Sequence, residues 1–275
     1  LESLTHQSVD DFEVIVVDDG STVPCEDVVN RYSDKFNVQY HWKENTGPGL
    51  TRNYGAERAS GKVIIFLDSD CIAPPSYLST VMDELASSPV DAFGGPDRAH
   101  VSFTPIQKAI NYSMTSFFTT GGIRGCKHRM DRFYPRSFNM GFAKDKFLSL
   151  GGFASIRFGE DIDLSTRAIK AGYTVRLLPD AYVYHKRRTD FMKFYRQVYC
   201  SGLARITLHI LHPGSLKPVH LLPSLFMLTM IFFLIASVVC VYSLIVPALF
   251  SLLVFADSLR LNGNPRVATL SIVAA

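Results

Sequence analysis

The sequence has little cysteine and almost no tryptophan, with 5 Cys and 1 Trp in 275 residues. The cysteines (Cys25, Cys71, Cys126, Cys200 and Cys240) are odd in number and form no C-x-x-C pair. That argues against a disulfide framework or a zinc ribbon, and it suits a reducing compartment. The histidines show no zinc-ligand spacing. No nucleic-acid-binding motif is visible, so no nucleic-acid partner is expected. No signal peptide and no initiator Met open the chain, which reads as a fragment. Charge is missing altogether from Leu221 to Ala256, a run of 36 residues.

That run would measure about 54 Å as one helix, against a hydrocarbon core of about 30 Å. Two membrane spans are expected, broken near Val241–Ser243 or at Pro247; a single long tilted helix is the alternative. The closing "RVATLSIVAA" would start a third. A buried pair of core helices would also lack charge, but runs this long are rare in soluble cores. Residues up to His185 carry 19 Lys and Arg against 23 Asp and Glu, whereas Lys186 to Pro218 carries 7 against 1. Basic residues flank the apolar run on both sides. By the positive-inside rule both flanks are cytoplasmic, giving a multi-pass plasma-membrane protein with its soluble part in the cytoplasm. Asp190 to His212, with Phe191, Phe194, Tyr195, Val198, Leu203, Ile206 and Ile210 among basic residues, reads as interfacial helices on lipid. An ordinary amphipathic helix packed on the soluble part would look similar. The expected division is 1–185 soluble, 186–218 basic and interfacial, and 219–275 transmembrane.

The first part alternates strand and helix patterns. "EVIVV" (13–17), "VQYHW" (38–42), "VIIFL" (63–67) and "VDAFGG" (90–95) read as strands. Helical patterns lie between them, at 24–35, 47–60 and from Pro74 to Ser87. Such alternation predicts an α/β fold with a parallel, doubly wound sheet and helices on both faces. Ligands in such sheets bind beyond the carboxyl ends of the strands. Two acidic motifs fall there: Asp18-Asp19-Gly20-Ser21 and Asp68-Ser69-Asp70.

Asp68 and Asp70, two apart in a chain leaving a strand, can turn toward one hard divalent cation such as Mg2+ or Mn2+, with diphosphate oxygens completing its shell. A solvated turn that caps the next helix would look the same. Asp18 and Asp19 could accept hydrogen bonds from a base or ribose, or simply form an Asp-Gly turn. Glu160 and Asp161 open a helix, where acids are ordinary dipole partners; one of them is also suited to act as general base for a hydroxyl. His185 ends the strand-like "AYVYH" and is a metal ligand, a diphosphate contact or a structural histidine.

In order and spacing, "DFEVIVVDDGST", "NTGPGLTRNYGAERASGKVIIFLDSD", "FNMGFAKDKFLSLGGF", "GEDIDLSTRAIKAGYTV" and His185 resemble the family-2 glycosyltransferases. The resemblance covers roughly residues 1–185, and the apolar tail is similar to that of membrane-bound members. It implies a GT-A fold, that is, a Rossmann-like mixed sheet that binds nucleotide-diphospho-sugars, followed by C-terminal transmembrane helices. It further implies that Asp19, supported by Asp18, binds the nucleotide, with Arg52 near it. Asp68 would contact ribose or metal, and Asp70 and His185 the metal on the diphosphate. Asp161 would be the catalytic base, positioned by Glu160, while Phe138, Asn139 and Met140 would form the acceptor side. The implied activity is inverting, metal-dependent transfer of a sugar from a nucleotide-sugar donor to a lipid-linked or cell-surface glycan acceptor. Two departures stand out. The family's first strand would precede Leu1. The Q-x-x-R-W motif of processive members is represented only by Gln197 in "YRQVYCSGLAR", which implies transfer of one or few sugars. A nucleotidyltransferase acting on a sugar phosphate, or a non-catalytic membrane-anchored ligand-binding fragment, are the competing readings.

Overall fold

The computed structural model describes residues 1–120 and 133–275; Cys126 lies outside them. In chain order the elements begin β1 (Glu13–Asp19), α1 (Glu26–Asn30), β2 (Asn37–Lys43), α2 (Pro48–Arg58) and β3 (Val63–Leu67). Then follow β4 (Cys71–Ile72), α3 (Tyr77–Ser87), β5 (Ala92–Gly94), β6 (Asp97–Arg98), α4 (Pro105–Thr115) and α5 (Phe117–Thr120). β7 (Asn139–Ala143), α6 (Lys144–Ser149), α7 (Glu160–Lys170), β8 (Val175–Leu177) and β9 (Val183–His185) come next. The chain closes with α8 (Phe191–Leu211), α9 (Leu222–Ala236), α10 (Ile245–Asn262) and α11 (Pro265–Ala274). They form two units, one of residues 1–100 and 133–185, the other of residues 101–120 and 186–275.

The first unit is α/β, but its sheet is mixed rather than all parallel. β1 and β2 pair in parallel from Glu13↔Asn37 to Asp19↔Lys43. A four-stranded ladder runs β3-β7-β5-β8. β7 enters between β3 and β5 antiparallel to both, while β5 and β8 are parallel. This insertion overturns the parallel sheet expected from the strand–helix alternation and agrees with the mixed sheet the resemblance implies. A short third ladder, β4-β9-β6, brings Cys71 opposite His185.

Alternation along β3 explains why its run is apolar throughout. Ile64 and Phe66 face one core with Met140, Phe142, Phe147, Phe153 and Leu164. Ile65 and Leu67 pack against the other, with Tyr77, Val81, Phe93 and Val183. A strand covered on both faces has no solvent side on which to place polar residues. In the first core the rings of Phe66, Phe147 and Phe153 meet at 5.1–5.6 Å in tilted and edge-on arrangements, which the aromatic quadrupole favours.

Two helices differ from their sequence patterns. α1 is only one turn or so, because the chain from Arg31 to Lys35 closes into turns. Pro74 and Pro75 precede α3 instead of opening it. Their carbonyls accept hydrogen bonds from the side chain of Gln7 and the N–H of Ser8, tying down the N-terminal segment.

In the second unit α4 opens with a capping box between Thr104 and Gln107. Arg187 donates to Asn111 Oδ1 at 3.1 and 2.9 Å, and Gln107 Nε2 donates to the Arg187 carbonyl. Tyr112 and Ser116 donate to Asp257 of α10 at 2.9 and 3.1 Å, and Ser258 meets Ser271 of α11 at 2.8 Å. Pro218–Ala236 and Val241–Asn262 are each long and apolar enough to cross a membrane. The break between them is a turn and a short 3-10 segment at residues 237–244, so a single long helix is excluded. Pro247 sits in the first turn of α10, where its missing N–H costs nothing. Residues 190–212, expected as several helices, form the one helix α8.

Candidate functional site

The acids at the end of β3 divide their partners. Cys71 N–H donates to the Asp68 carbonyl at 3.0 Å, closing the turn that carries Asp68, Ser69 and Asp70. Asp68 Oδ1 accepts from Arg52 Nη2 at 2.8 Å, and Arg52 Nη1 reaches Glu160 Oε1 at 3.1 Å. Arg52 therefore bridges the end of β3 to the start of α7, with its guanidinium 5.5 Å from the Phe153 ring. Asp70 turns the other way and meets His185 Nε2 at 3.3 Å.

Asp70, Cys71 and His185 each offer one ligand atom, all within 4.8 Å of one another. The register of β4 on β9 creates this meeting. His185 stacks on Phe138, ring centroids 4.7 Å apart, and its Nδ1 is buried without a hydrogen bond. Its outward chemistry is thus confined to Nε2, beside Asp70. A carboxylate oxygen and an imidazole nitrogen converging in this way fit a hard or borderline divalent cation. Cys71 is a poor third ligand. Burial, then the carboxylates of Asp68 and Asp70, push its thiol well above the usual range, and it lies 3.5 Å from the Phe138 carbonyl.

Glu160 and Asp161 occupy the first turn of α7, entered through Gly159 at φ +83°, a conformation that glycine adopts without strain. Ile162 N–H donates to Asp161 Oδ1 at 2.8 Å, and Arg136 approaches Oδ2 at 3.4 Å. Glu160 is buried; burial foremost, and next the charge of Asp161, push its carboxyl above the ordinary range, against the pull of Arg52. Asp163 is structural. It pairs with Arg167, whose guanidinium also donates to the carbonyls of Leu150 and Gly152 and so anchors the loop leading to α7.

Asp18 and Asp19 sit at the end of β1. Asp18 is buried and accepts from Tyr40 Oη at 2.9 Å and Ser21 N–H at 2.8 Å. Asp19 accepts from Lys43, from Thr46 N–H at 2.9 Å and from Gly47 N–H at 2.9 Å, fastening the loop that leads into α2. Burial works to raise the Asp19 carboxyl, but the donors led by Lys43 outweigh it and hold the pKa at about 2.

The expected acceptor-side trio is divided. Asn139 is buried, and its amide accepts from Tyr77 Oη at 2.6 Å and donates to the Ala181 carbonyl at 2.9 Å. Met140 is 0% exposed within the core. Both are buried on β7, which is covered on both sides, whereas Phe138 stacks on His185. Arg136 was not singled out in the sequence. Only its place three residues before Asn139 hinted at it, since its partner Asp161 lies 25 residues away.

Residues 1–153 match the profile of glycosyl transferase family 2, more than half of the chain. The validoxylamine A glucosyltransferase of Streptomyces hygroscopicus subsp. jinggangensis is 40% identical over 77 residues, 27% of this chain and 18% of that protein. Relatives at 39–43% identity align over only 10–24% of their own lengths. A glucosyl-dolichyl phosphate glucuronosyltransferase of Haloferax volcanii is 24% identical, covering 78% of this chain and 73% of its own. Among solved structures, a mannosyltransferase of Pyrobaculum calidifontis in complex with GDP-Man and Mn2+ superposes with a TM-score of 0.58. That match has 18% identity and covers 99% of this chain and 79% of the other, and it shows the GT-A fold. The folded acids and the profile agree: this chain belongs to glycosyl transferase family 2.

Proposed function

We propose that the protein is an inverting, metal-dependent glycosyltransferase that moves a sugar from a nucleoside-diphosphate donor to a hydroxyl of a lipid-linked or cell-surface glycan. The observation that carries this reading is the convergence of two separate acidic groups. Asp70 meets His185 at one point, Asp161 opens α7 at another, and the Asp68–Arg52–Glu160 bridge connects β3 to α7.

Asp70 and His185, with Asp68 beside them, would hold a Mg2+ or Mn2+ ion, which when bound neutralises the diphosphate leaving group as a Lewis acid. Asp19 and Asp18 border the nucleotide side, and Asp19 keeps one oxygen with capacity to accept from a base or ribose. Asp161 accepts the proton of the acceptor hydroxyl as the new glycosidic bond forms. The bond from the anomeric carbon to the diphosphate oxygen breaks on the opposite face, so the anomeric centre inverts. Glu160 and Arg52 position Asp161 and Asp68, and Phe138 contributes to the acceptor side.

The Mn2+ and GDP-Man of the Pyrobaculum structure support the donor and metal, and the name of the Haloferax relative supports a lipid-linked acceptor. Residues 1–185 would be the transferase part and 219–275 the membrane part, with α9 and α10 as a hairpin whose basic flanks stay on the cytoplasmic side.

The test is a screen of nucleotide-sugar donors on the full protein, reading nucleoside diphosphate release. Asp161→Asn is expected to lower release by roughly 10²–10⁴-fold. Asp70→Ala or a chelator should abolish it. Equal release from Asp161→Asn and the parent would refute the base, and insensitivity to chelation the metal. Turnover of a sugar 1-phosphate without release from any nucleotide sugar would refute the transferase itself.

A further inference from the structure

α8 carries a stripe of large apolar side chains that, among the described residues, nothing in its own unit covers. Met192, Tyr195, Tyr199, Leu203, Ile206 and Ile210 are 62, 64, 57, 44, 59 and 73% exposed. Their successive spacings of three and four residues confine them to an arc of about 80° on an ideal helix. The opposite face is the packed one, with Ala204 at 6% and Leu208 at 2% exposure. Six neighbouring large hydrophobics at such exposure far exceed the scattered apolar residues of an ordinary surface.

The charges around the stripe identify what covers it. α8 contains Lys193, Arg196 and Arg205 and neither Asp nor Glu. On an ideal helix Arg196 lies about 60° from the stripe's centre, and Lys193 and Arg205 about 120° to either side of it. Long basic side chains at those angles can lay their stems along the apolar band and reach outward with their charges. Tyr195 and Tyr199 stack within the stripe at 6.4 Å, and tyrosine favours the headgroup level, where its ring is dry and its hydroxyl wet. The same unit holds the two helices long and apolar enough to cross a membrane. A second copy of the chain would bring another basic face, with Arg196 and Arg205, against this one, an unfavourable pairing; an anionic bilayer is complementary in both charge and polarity.

We propose that α8 lies in the plane of an anionic lipid surface with the stripe from Met192 to Ile210 immersed at the headgroup–acyl boundary. The proposal rests on the membrane-anchored reading above and adds to it a second contact, with its own face and charge preference. It also changes which residues are involved: Phe191 and Phe194, apolar in the same segment, are half-buried, and Phe194 lies toward the packed side.

The experiment uses the full chain in vesicles of phosphatidylcholine with or without phosphatidylglycerol. Trp42 is the only tryptophan, so Trp42→Phe gives a silent background. Into it go Tyr195→Trp and Tyr199→Trp as stripe probes, Phe194→Trp on the packed face, and Phe232→Trp on α9. The stripe probes are expected to be quenched by shallow-brominated lipid at least twofold more than the Phe194→Trp probe. Their protection from acrylamide should rise with phosphatidylglycerol. Undiminished acrylamide quenching at both stripe positions, with the α9 probe still quenched by brominated lipid, overturns the proposal alone. Loss of lipid quenching at the α9 probe as well overturns the membrane reading beneath it. Disulfide cross-linking between copies through Tyr199→Cys, independent of lipid, also overturns the proposal by naming a second copy as the occupant.

Discussion

Replacing Arg52 by Met isolates the electrostatic bridge at the centre of the site. Met keeps an apolar stem against Phe153 but removes both ion pairs, to Asp68 at 2.8 Å and to Glu160 at 3.1 Å. The Glu160 side chain is 10% exposed and that of Asp68 33%, so Glu160 bears most of the loss. Breaking a fully buried pair costs about 3–5 kcal/mol; with one partner a third exposed and screened, about 2–3 kcal/mol is expected. For a unit of this size that lowers the melting temperature by roughly 4–12 °C. The dependence on pH is the sharper signature. The carboxyl of Glu160 is raised in the folded protein, so its proton favours folding in acid, and that contribution is lost as pH rises through the folded value. Without Arg52 the folded value rises further. The penalty of Arg52→Met should therefore be small below the ordinary 4.5 of Glu160 and reach its full size near neutrality. Melting followed by the fluorescence of Trp42, which lies on β2 of the same unit, measures it directly. Adding Glu160→Gln should recover most of the loss, because the uncompensated charge is gone. A penalty that is the same in acid and at neutral pH, or that Glu160→Gln leaves untouched, would refute the reasoning.

Asp19, held down from 3.8 to about 2, stabilises the fold by about 2 kcal/mol at neutral pH. This contribution is complete above 3.8 and lost as pH falls through 2, so the stability gap between Asp19→Asn and the parent should close over that window in urea unfolding. A gap constant down to pH 2 would count against the knot around Lys43. A Cβ at Gly141 would clash with the Cζ and Cε atoms of Phe93, so Gly141→Ala should destabilise by about 3 kcal/mol through overpacking. Phe93→Leu in the same background should return part of that, and no recovery would mean the strain lies elsewhere. The loss of turnover in Asp161→Asn and the lipid quenching of Tyr195→Trp complete the set.

Much of the first unit was legible residue by residue. "VIIFL" became β3 with its ends unchanged, and the acids after it lie at the strand's carboxyl end, as the pattern required. The mixed sheet was not legible from the alternation alone. β7 is short, and nothing in "NMGFA" says that it inserts between β3 and β5 antiparallel to both. The same insertion hides Asn139 and Met140, whose neighbours in sequence suggested an acceptor loop. In α8 the apolar residues were visible, but the composition did not say which of them the fold would cover.

The sequence alone determined where strands must be buried, where acids leave them, and that 36 uncharged residues need an apolar surrounding. These follow from periodicity and from the cost of burying charge, which are local properties of a chain. Only the tertiary structure decided that Arg52 serves Asp68 and Glu160, 16 and 108 residues away, and that Arg136 meets Asp161. It also decided that Asp70 meets His185, 115 residues away. Such pairings depend on strand order and register, and in a sheet a slip of one residue turns every side chain to the opposite face.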